Sequence, residues 1–422
     1  MAVFAMISGG GTAGHVVPGL AVADALVARG HDPSTIHFVG SERGVERTMV
    51  PAAGFPLTLL PGRGIQRRVT LANVGATIGL LRAIARAVRL VRRERPAVLL
   101  ALGGYASVPA ALGAALWRVP IVVAEQNAVP GAANRLIARF AKASAVSFLN
   151  TALPRAELTG NPVRREVRAL ASAADRAGAR SWVGLAGEDD RVLVVAFGGS
   201  LGARRINDAV LALAHSWRAR SDVALRHVIG DRDWEGAADR VSALDEELAR
   251  RRRNNEPTLR YDAVRYEHDM PTVYAAADLI LCRSGASTVA ELAVAGVPSV
   301  LVPLPHAPAD HQSANARAMV DAGGALLLAD AETDGDRVRE VLDPLVRDHE
   351  QRDRMAVAAR SLARPDAAER VADLVERHAR DAGIVDAGIV DAGIVDAGIV
   401  DAGIVDTGIT ADGDGTNQDG RP

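Results

Sequence analysis

The stretch Ala277-Asp-Leu-Ile-Leu-Cys-Arg283-Ser284-Gly285-Ala-Ser-Thr-Val-Ala-Glu291-Leu-Ala-Val-Ala-Gly296-Val-Pro298 decides how this 422-residue chain folds. Residues 277–283 form an apolar run of strand length that stops at Ser284-Gly285. Ala286 to Ala295 then has helical spacing and is ended by Gly296 and Pro298. Val300 to Leu304 reads as a second buried strand and Pro305 to Asp310 as a polar loop broken by prolines. Asp310-His311-Gln312 opens another helix. Strand, helix, strand, loop, helix is one unit of an open parallel sheet, with helix N-termini facing the carboxyl ends of the strands.

Chemistry follows from that geometry. Ser284, Gly285, Ser287 and Thr288 surround a helix N-terminus, where unpaired N–H groups and the positive dipole end attract phosphate. Glu291 shares a helix face with Ser287 and lies about 10 Å along the axis from Ser284. A carboxylate only accepts hydrogen bonds, so it suits the two hydroxyls of a ribose set back from a diphosphate. A solvated helix-face charge is the alternative for Glu291. Gln312 and Asn315 on the next helix reach toward the same cleft.

A second glycine-rich turn stands at the N-terminus. Val3 to Ser8 reads as a buried strand, and Gly9-Gly-Gly-Thr12-Ala13-Gly14-His15 leads to a helix from about Pro18 to Arg29. Gly9, Gly11 and Gly14 satisfy the dinucleotide spacing, but the acid this motif needs after the second strand is poorly placed, because Glu42 comes late. The other reading is a close-approach loop that presents His15 and backbone N–H groups at a strand end. A histidine ordinarily titrates near neutrality, so His15 is a candidate to take a proton from an attacking hydroxyl. A histidine that merely bonds locally is the alternative.

Composition bounds the rest. With 49% hydrophobic residues the chain can bury large cores, and its length suggests two or three domains. A net charge of −2 predicts no general attraction to nucleic acid. The single cysteine, Cys282, fits a reducing compartment and reads as a buried apolar residue. The N-terminus is too short and lacks the basic residues of a signal peptide, and no run of eighteen apolar residues predicts a membrane span. Between Gln66 and Arg95, Leu80, Leu81, Ile84, Val88 and Val91 recur at helical spacing among arginines 82, 86, 89, 92, 93 and 95. Such a helix either lays its stripe on a core or lies on an anionic membrane surface, with Trp117 joining the patch or buried.

Further polar clusters follow strands. Gly103-Gly-Tyr105 and Glu125-Gln-Asn127 sit at strand ends, and Asn134 lies on the next helix. Glu125 is either a second base or an orienter of His15. Gly160-Asn-Pro-Val-Arg164 punctuates the end of the first sheet. Arg191 to Phe197 begins a second sheet, and Gly198-Gly-Ser200-Leu201-Gly202 meets a helix N-terminus, a natural diphosphate seat. Further strands are expected at Leu225–Ile229 and, more weakly, near Leu259–Tyr261. No aspartate-x-aspartate pair stands out to hold a metal, so a bound diphosphate is expected to be held mainly by protein, with no cofactor.

Cys282-Arg-Ser-Gly-Ala-Ser-Thr-Val-Ala-Glu-Leu292, then Gly296-Val-Pro298 and His311-Gln-Ser-Ala-Asn-Ala316, resemble the donor-nucleotide region of the MurG family. These are bacterial N-acetylglucosaminyltransferases that make the last intracellular peptidoglycan precursor. The glycine, Gly-Gly-Tyr, Glu-Gln-Asn and Gly-Asn-Pro-Val-Arg clusters resemble the family in the same order over about residues 3–375. The resemblance implies two doubly wound, Rossmann-like α/β domains facing across a cleft (the GT-B architecture). It implies an inverting transfer from UDP-N-acetylglucosamine to the C4 hydroxyl of the muramoyl sugar of lipid I, at the cytoplasmic face of the cell membrane and its anionic surface. Donor contacts are then expected from Thr12, Ala13, Gly14, Arg164, Ser200, Arg283, Ser284, Gly285, Ser287, Thr288, Glu291 and Gln312. Tyr105, Asn127 and Asn134 are expected at the acceptor, and His15 and Glu125 in catalysis. Tyr266 would cap the uracil. Ala13, Val108, Ala110, Leu201 and Glu267 depart from the family pattern.

Four segments are expected: an acceptor- and membrane-facing domain over 1–163, a UDP-sugar domain over 164–355, a helix over 356–380 returning to the first domain, and a tail over 381–422. The tail repeats Asp-Ala-Gly-Ile-Val five times from 381 to 405, which predicts disorder, with a stacked β-solenoid as the alternative. Three rival functions remain: a transferase of the same fold with another acceptor, a nucleotide-dependent oxidoreductase using Gly9–Gly14, and a non-catalytic scaffold.

Overall fold

The computed structural model describes residues 2–61, 72–170, 175–187, 190–199 and 202–381. Gln66, Ser200, Leu201 and the repeats from 382 onward lie outside the described residues. The first seven strands are β1 (Ala5–Gly9), β2 (Ile36–Ser41), β3 (Leu57–Leu60), β4 (Val98–Gly103), β5 (Ile121–Glu125), β6 (Ala143–Val146) and β7 (Ala156–Leu158). They pair in parallel in the order β3-β2-β1-β4-β5-β6-β7. A second sheet holds β8 (Val192–Phe197), β9 (Val223–Val228), β10 (Arg260–Val264), β11 (Leu279–Cys282), β12 (Ser299–Leu301) and β13 (Ala325–Leu327). Its order, β10-β9-β8-β11-β12-β13, repeats the first, so each sheet reverses direction once, between β1 and β4 and between β8 and β11.

The central strands are continuous apolar runs because helices cover both faces of each sheet. On one face of the first sheet, Val22 and Leu26 of the Ala13–Ala28 helix share a core with Val98 and Leu100. Val371, Leu374 and Val375 of the Ala367–Asp381 helix join that same core, so the last described helix packs on the first sheet. Arg29 Nη1 fixes the contact at 2.6 Å from Asp373 and 2.7 Å from Glu376. On the other face, the Ala72–Glu94 helix buries Ala83, Ala87, Leu90 and Val91. The expected stripe is therefore rotated: Leu80, Ile84 and Val88 are half-buried and Leu81 is 62% exposed.

Several boundaries differ from the sequence expectation. The first helix begins at Ala13, not Pro18, because Thr12 takes the extended conformation that starts it (φ −137°, ψ 157°). His15 is thus on the first helical turn rather than in a loop. Val300–Leu304 shortens to Ser299–Leu301, since the prolines at 303 and 305 remove ladder donors. Strands β3, β6 and β7 were not expected. They have only four, four and three residues, too few for a period to show.

Candidate active site

At the first switch point the glycine turn after β1 runs into the Ala13–Ala28 helix. Thr12 Oγ1 lies 3.2 Å from His15 Nδ1 and holds the ring. Gly103, at the end of β4, has φ +95° and comes so close that a Cβ there would sit 3.3 Å from His15 Nε2 and 3.2 Å from Asn134 Nδ2. Only glycine lets that backbone approach the imidazole. Burial lowers the His15 pKa, partly offset by the Glu125 and Glu46 carboxylates, while His311 lowers it further.

Glu125 ends β5 and organises the loop beyond it. Its Oε1 accepts from the Asn127 N–H (3.0 Å) and Nδ2 (3.2 Å), and its Oε2 from the Gly131 N–H (3.0 Å) and Asn134 Nδ2 (2.9 Å). Its hydrogen bonds stay within this loop and reach toward His15 only through Asn134. Asn134 Oδ1 is buried without a partner among the described residues. Tyr105 is turned to the neighbouring loop, donating its hydroxyl to the Pro61 carbonyl (2.9 Å).

One acid was missed by sequence reasoning. Glu46, the first residue of the Glu46–Ala52 helix, is buried and accepts from the N–H groups of Gly11 (2.9 Å) and Ser41 (2.6 Å). A Cβ on Gly10, Gly40 or Gly44 would come within 2.1, 2.3 and 1.9 Å of its side chain, so three glycines form its cradle. This carboxylate takes an amide of the glycine turn and would repel a diphosphate placed there, which counts against the dinucleotide reading. The signal was present as Gly40, Gly44 and Glu46, but Glu42 drew the attention.

At the second switch point, Gly285 precedes the Ala286–Ala295 helix without a side-chain cap, leaving its first amides to a ligand. Ser287 Oγ, in the first turn, is buried without a partner among the described residues. Ser284 is fully buried and donates to the Gln312 carbonyl (2.9 Å), while Gln312 Oε1 accepts from the Leu304 N–H (2.9 Å). Glu291 is buried between Arg164, whose Nη2 lies 3.1 Å from Oε1, and the Tyr274 hydroxyl, 2.9 Å from Oε2. Burial and the adjacent Glu291 carboxylate keep the Tyr274 phenol protonated. Arg283 pairs with Asp330 (2.7 Å) and donates to the carbonyls of Val302 and Pro303.

The two halves meet at Asn315. This fully buried amide accepts from the Ala128 N–H (2.8 Å) and donates to Asn127 Oδ1 and to the Ser284 carbonyl, each at 3.2 Å. The loop before it holds His306, Ala309 and Asp310 at φ +59°, +54° and +50°, an uncommon run of left-handed non-glycine residues. The family departure at Glu267 is neutralised by Arg226, 2.7 Å away, and Tyr266 is 43% exposed beside it.

Comparison with known proteins agrees with this architecture. Residues 5–146 match the glycosyltransferase family 28 N-terminal domain and residues 193–371 its C-terminal domain. The UDP-N-acetylglucosamine--N-acetylmuramyl-(pentapeptide) pyrophosphoryl-undecaprenol N-acetylglucosamine transferase of Acidothermus cellulolyticus is 42% identical over 380 residues, covering 90% of this chain and 99% of the relative. The protein of the same name from a Nocardioides species is 41% identical, covering 88% and 96%. The crystal structure of Acinetobacter baumannii MurG superposes with a TM-score of 0.69 at 28% identity, over 89% of this chain and all of that one. With two doubly wound sheets, two facing switch points and relatives matched nearly end to end, the chain belongs to glycosyltransferase family 28.

Proposed function

We infer that the protein transfers N-acetylglucosamine from UDP-N-acetylglucosamine to the C4 hydroxyl of the muramoyl sugar of lipid I, giving lipid II and UDP with inversion at the anomeric carbon. The observation that carries this reading is the clasp at Asn315, which joins the loop beside His15 to the helix N-terminus beside Glu291. In this reading the His15 tautomer that donates Nδ1–H to Thr12 Oγ1 offers Nε2 as the base that takes the acceptor proton. The freed oxygen attacks the anomeric carbon, and the bond to the diphosphate breaks on the opposite face. Charge on the departing UDP falls at the Ala286–Ala295 helix N-terminus, with Ser287 Oγ and Arg164 nearby. Thr12, Ala13 and Gly14 border the sugar from the first half. Glu291 keeps lone pairs for the ribose beyond those used by Arg164 and Tyr274. Asn127 and Asn134 serve the acceptor side, Tyr105 steadies the loop beside it through the Pro61 carbonyl, and Glu125 acts as a positioning residue.

Residues 1–163 form the acceptor- and membrane-facing half in this reading. Leu112, Leu116, Trp117, Leu136 and Phe140 are exposed, and Arg92 lies 5.2 Å over the Trp117 ring. Aromatic and aliphatic side chains beside arginines suit an anionic bilayer at the inner face of the cell membrane. Among the described residues no helix is long and apolar enough to cross a membrane. The deciding experiment combines purified protein, radiolabelled UDP-N-acetylglucosamine and a short-chain lipid I analogue, beside Glu291→Ala and His15→Ala. Labelled disaccharide lost in both variants supports the reading; failure to bind UDP-sugar overturns it.

A further inference from the structure

A second cavity, of ≈ 520 Å³, lies behind the helices that carry the donor-side residues. That is within the range of about 300–1,000 Å³ typical of small-molecule sites. Its walls come from both halves. Gly160 and Asn161 belong to the first, and Ala286, Ala290 and Ala293 of the Ala286–Ala295 helix to the second. These alanines share one helix face, while Ser287 and Glu291 lie on another, so the cavity adjoins the proposed transfer site at Ala286 and Ala128 but occupies a different face of the helix. Ala314, Arg317, Ala318 and Asp321 of the His311–Asp321 helix complete the second wall, on the face away from Gln312 and Asn315.

Three features of the lining ask for a ligand of one kind. Asn161 is 5% exposed, and neither its nitrogen nor its oxygen has a partner among the described residues. A buried amide with both ends unbonded is rare in a finished interior. Beside it, Arg364 packs its stem against Gly160, where an added Cβ would lie 2.4 Å from Arg364 Cβ. Neither Arg364 nor Arg317 has a carboxylate partner among the described residues, and Arg364 Nη1 donates only to the Ala363 carbonyl (2.9 Å). Asp321 is the one acid on the lining, so the arginines leave an excess of positive charge. The rest of the lining is mostly apolar, alanines and valines with Phe148 and Leu158 beside the polar Ser147 and Asn150, and its Leu149 and Leu362 are exposed.

We propose that this cavity binds a single-chain amphiphilic anion, an acyl or prenyl chain ending in a phosphate or carboxylate. The head accepts from Asn161 Nδ2 and the Arg364 guanidinium, with Arg317 adding charge at the rim. The chain lies along the alanine face and leaves past Leu149 and Leu362. A ligand touching both halves holds them in the arrangement that the Asn315 clasp also favours. Binding here does not depend on the transferase reading.

Direct binding tests it. Full-length protein is titrated with dodecyl phosphate below its micelle concentration, and with dodecyl maltoside and inorganic phosphate for comparison, by calorimetry. Dodecyl phosphate is expected to bind at one site, at least tenfold more tightly than either comparison compound. Ala290→Trp, which fills the cavity, and Arg364→Ala should each weaken it tenfold or more, and the exposed Arg317→Ala severalfold. Circular dichroism confirms that each variant is folded. The proposal is overturned if wild type does not bind, if dodecyl maltoside binds equally well, or if folded Ala290→Trp and Arg364→Ala bind as wild type does. In that last case the amphiphile sits on the exposed Leu116–Phe140 face or in the transfer cleft.

Discussion

Replacing Asn315 by alanine should separate donor binding from transfer. The side chain is fully buried and links Ala128 and Asn127 in the first half to Ser284 in the second. Truncation leaves the Ala128 N–H, the Asn127 side-chain oxygen and the Ser284 carbonyl without their partner. At about 1 kcal/mol net for each hydrogen bond, the closed arrangement loses about 3 kcal/mol. Each factor of ten corresponds to about 1.4 kcal/mol, so transfer, which needs both halves together, should fall by up to two orders of magnitude in kcat/KM. UDP, held by the second half, should bind within about threefold of wild type, since 0.6 kcal/mol corresponds to about that factor. Calorimetry with UDP and a radiolabel assay with the lipid I analogue read the two quantities separately. Wild-type turnover in the variant, or a loss of UDP affinity equal to the loss of turnover, would refute the idea that this residue couples the halves.

Three other outcomes follow from the same structure. His15→Ala should abolish transfer yet retain UDP binding, and burial should place the acid limb of wild-type kcat/KM below the ordinary histidine value of 6.5, with rate falling as pH drops through it. An acid limb assigned to His15 above 6.5 would contradict this. Glu46→Ala should destabilise the first half by about 3 kcal/mol, because two buried amides lose a charged acceptor; a urea midpoint unchanged from wild type would exclude it. His227 is buried between Tyr261 and Asn207, with its pKa pushed down to about 3. As pH falls from 6.5 toward 3, the unfolded chain takes up a proton that the native one refuses, and stability drops by about 1.4 kcal/mol per pH unit. His227→Gln should remove that contribution from the pH dependence of urea unfolding; identical slopes would show that His227 does not titrate this way.

Much of the frame was legible because it rests on local rules. The run 279–282, the Ala286–Ala295 helix and its stop at Gly296 follow from apolar spacing and from a left-handed C-cap (φ +66°) that glycine adopts freely. Two such patterns, each with a glycine turn at a strand end, are enough to imply two sheets. Helix starts were harder. Pro18 suggested a first turn, since proline favours that position, yet the helix carries it as an interior residue behind Thr12. The rotated face of the Ala72–Glu94 helix has a similar cause. Its buried seam is built from Ala83 and Ala87 as much as from the larger Leu90 and Val91, and small residues leave little mark on a hydrophobic pattern.

What the chain hides is the identity of partners far apart in sequence. Glu267 looked like a flaw, an acid where the family has an apolar residue; Arg226, on strand β9, lies 2.7 Å away and supplies the charge that makes it tolerable. Glu46 shows the same logic with a functional consequence. Read along the chain, Gly9, Gly11 and Gly14 open a dinucleotide site lacking its acid. In three dimensions a different acid reaches back 35 residues to the Gly11 amide, and three glycines make room for it. The turn is thereby committed to a carboxylate of its own, and its remaining exposed edge is the one that carries Thr12 and His15. Across the Asn315 clasp, the helix N-terminus after Gly285 offers its uncapped amides to a phosphate. In the proposed reaction the first half supplies the base and the second the seat for the departing diphosphate, and transfer requires both.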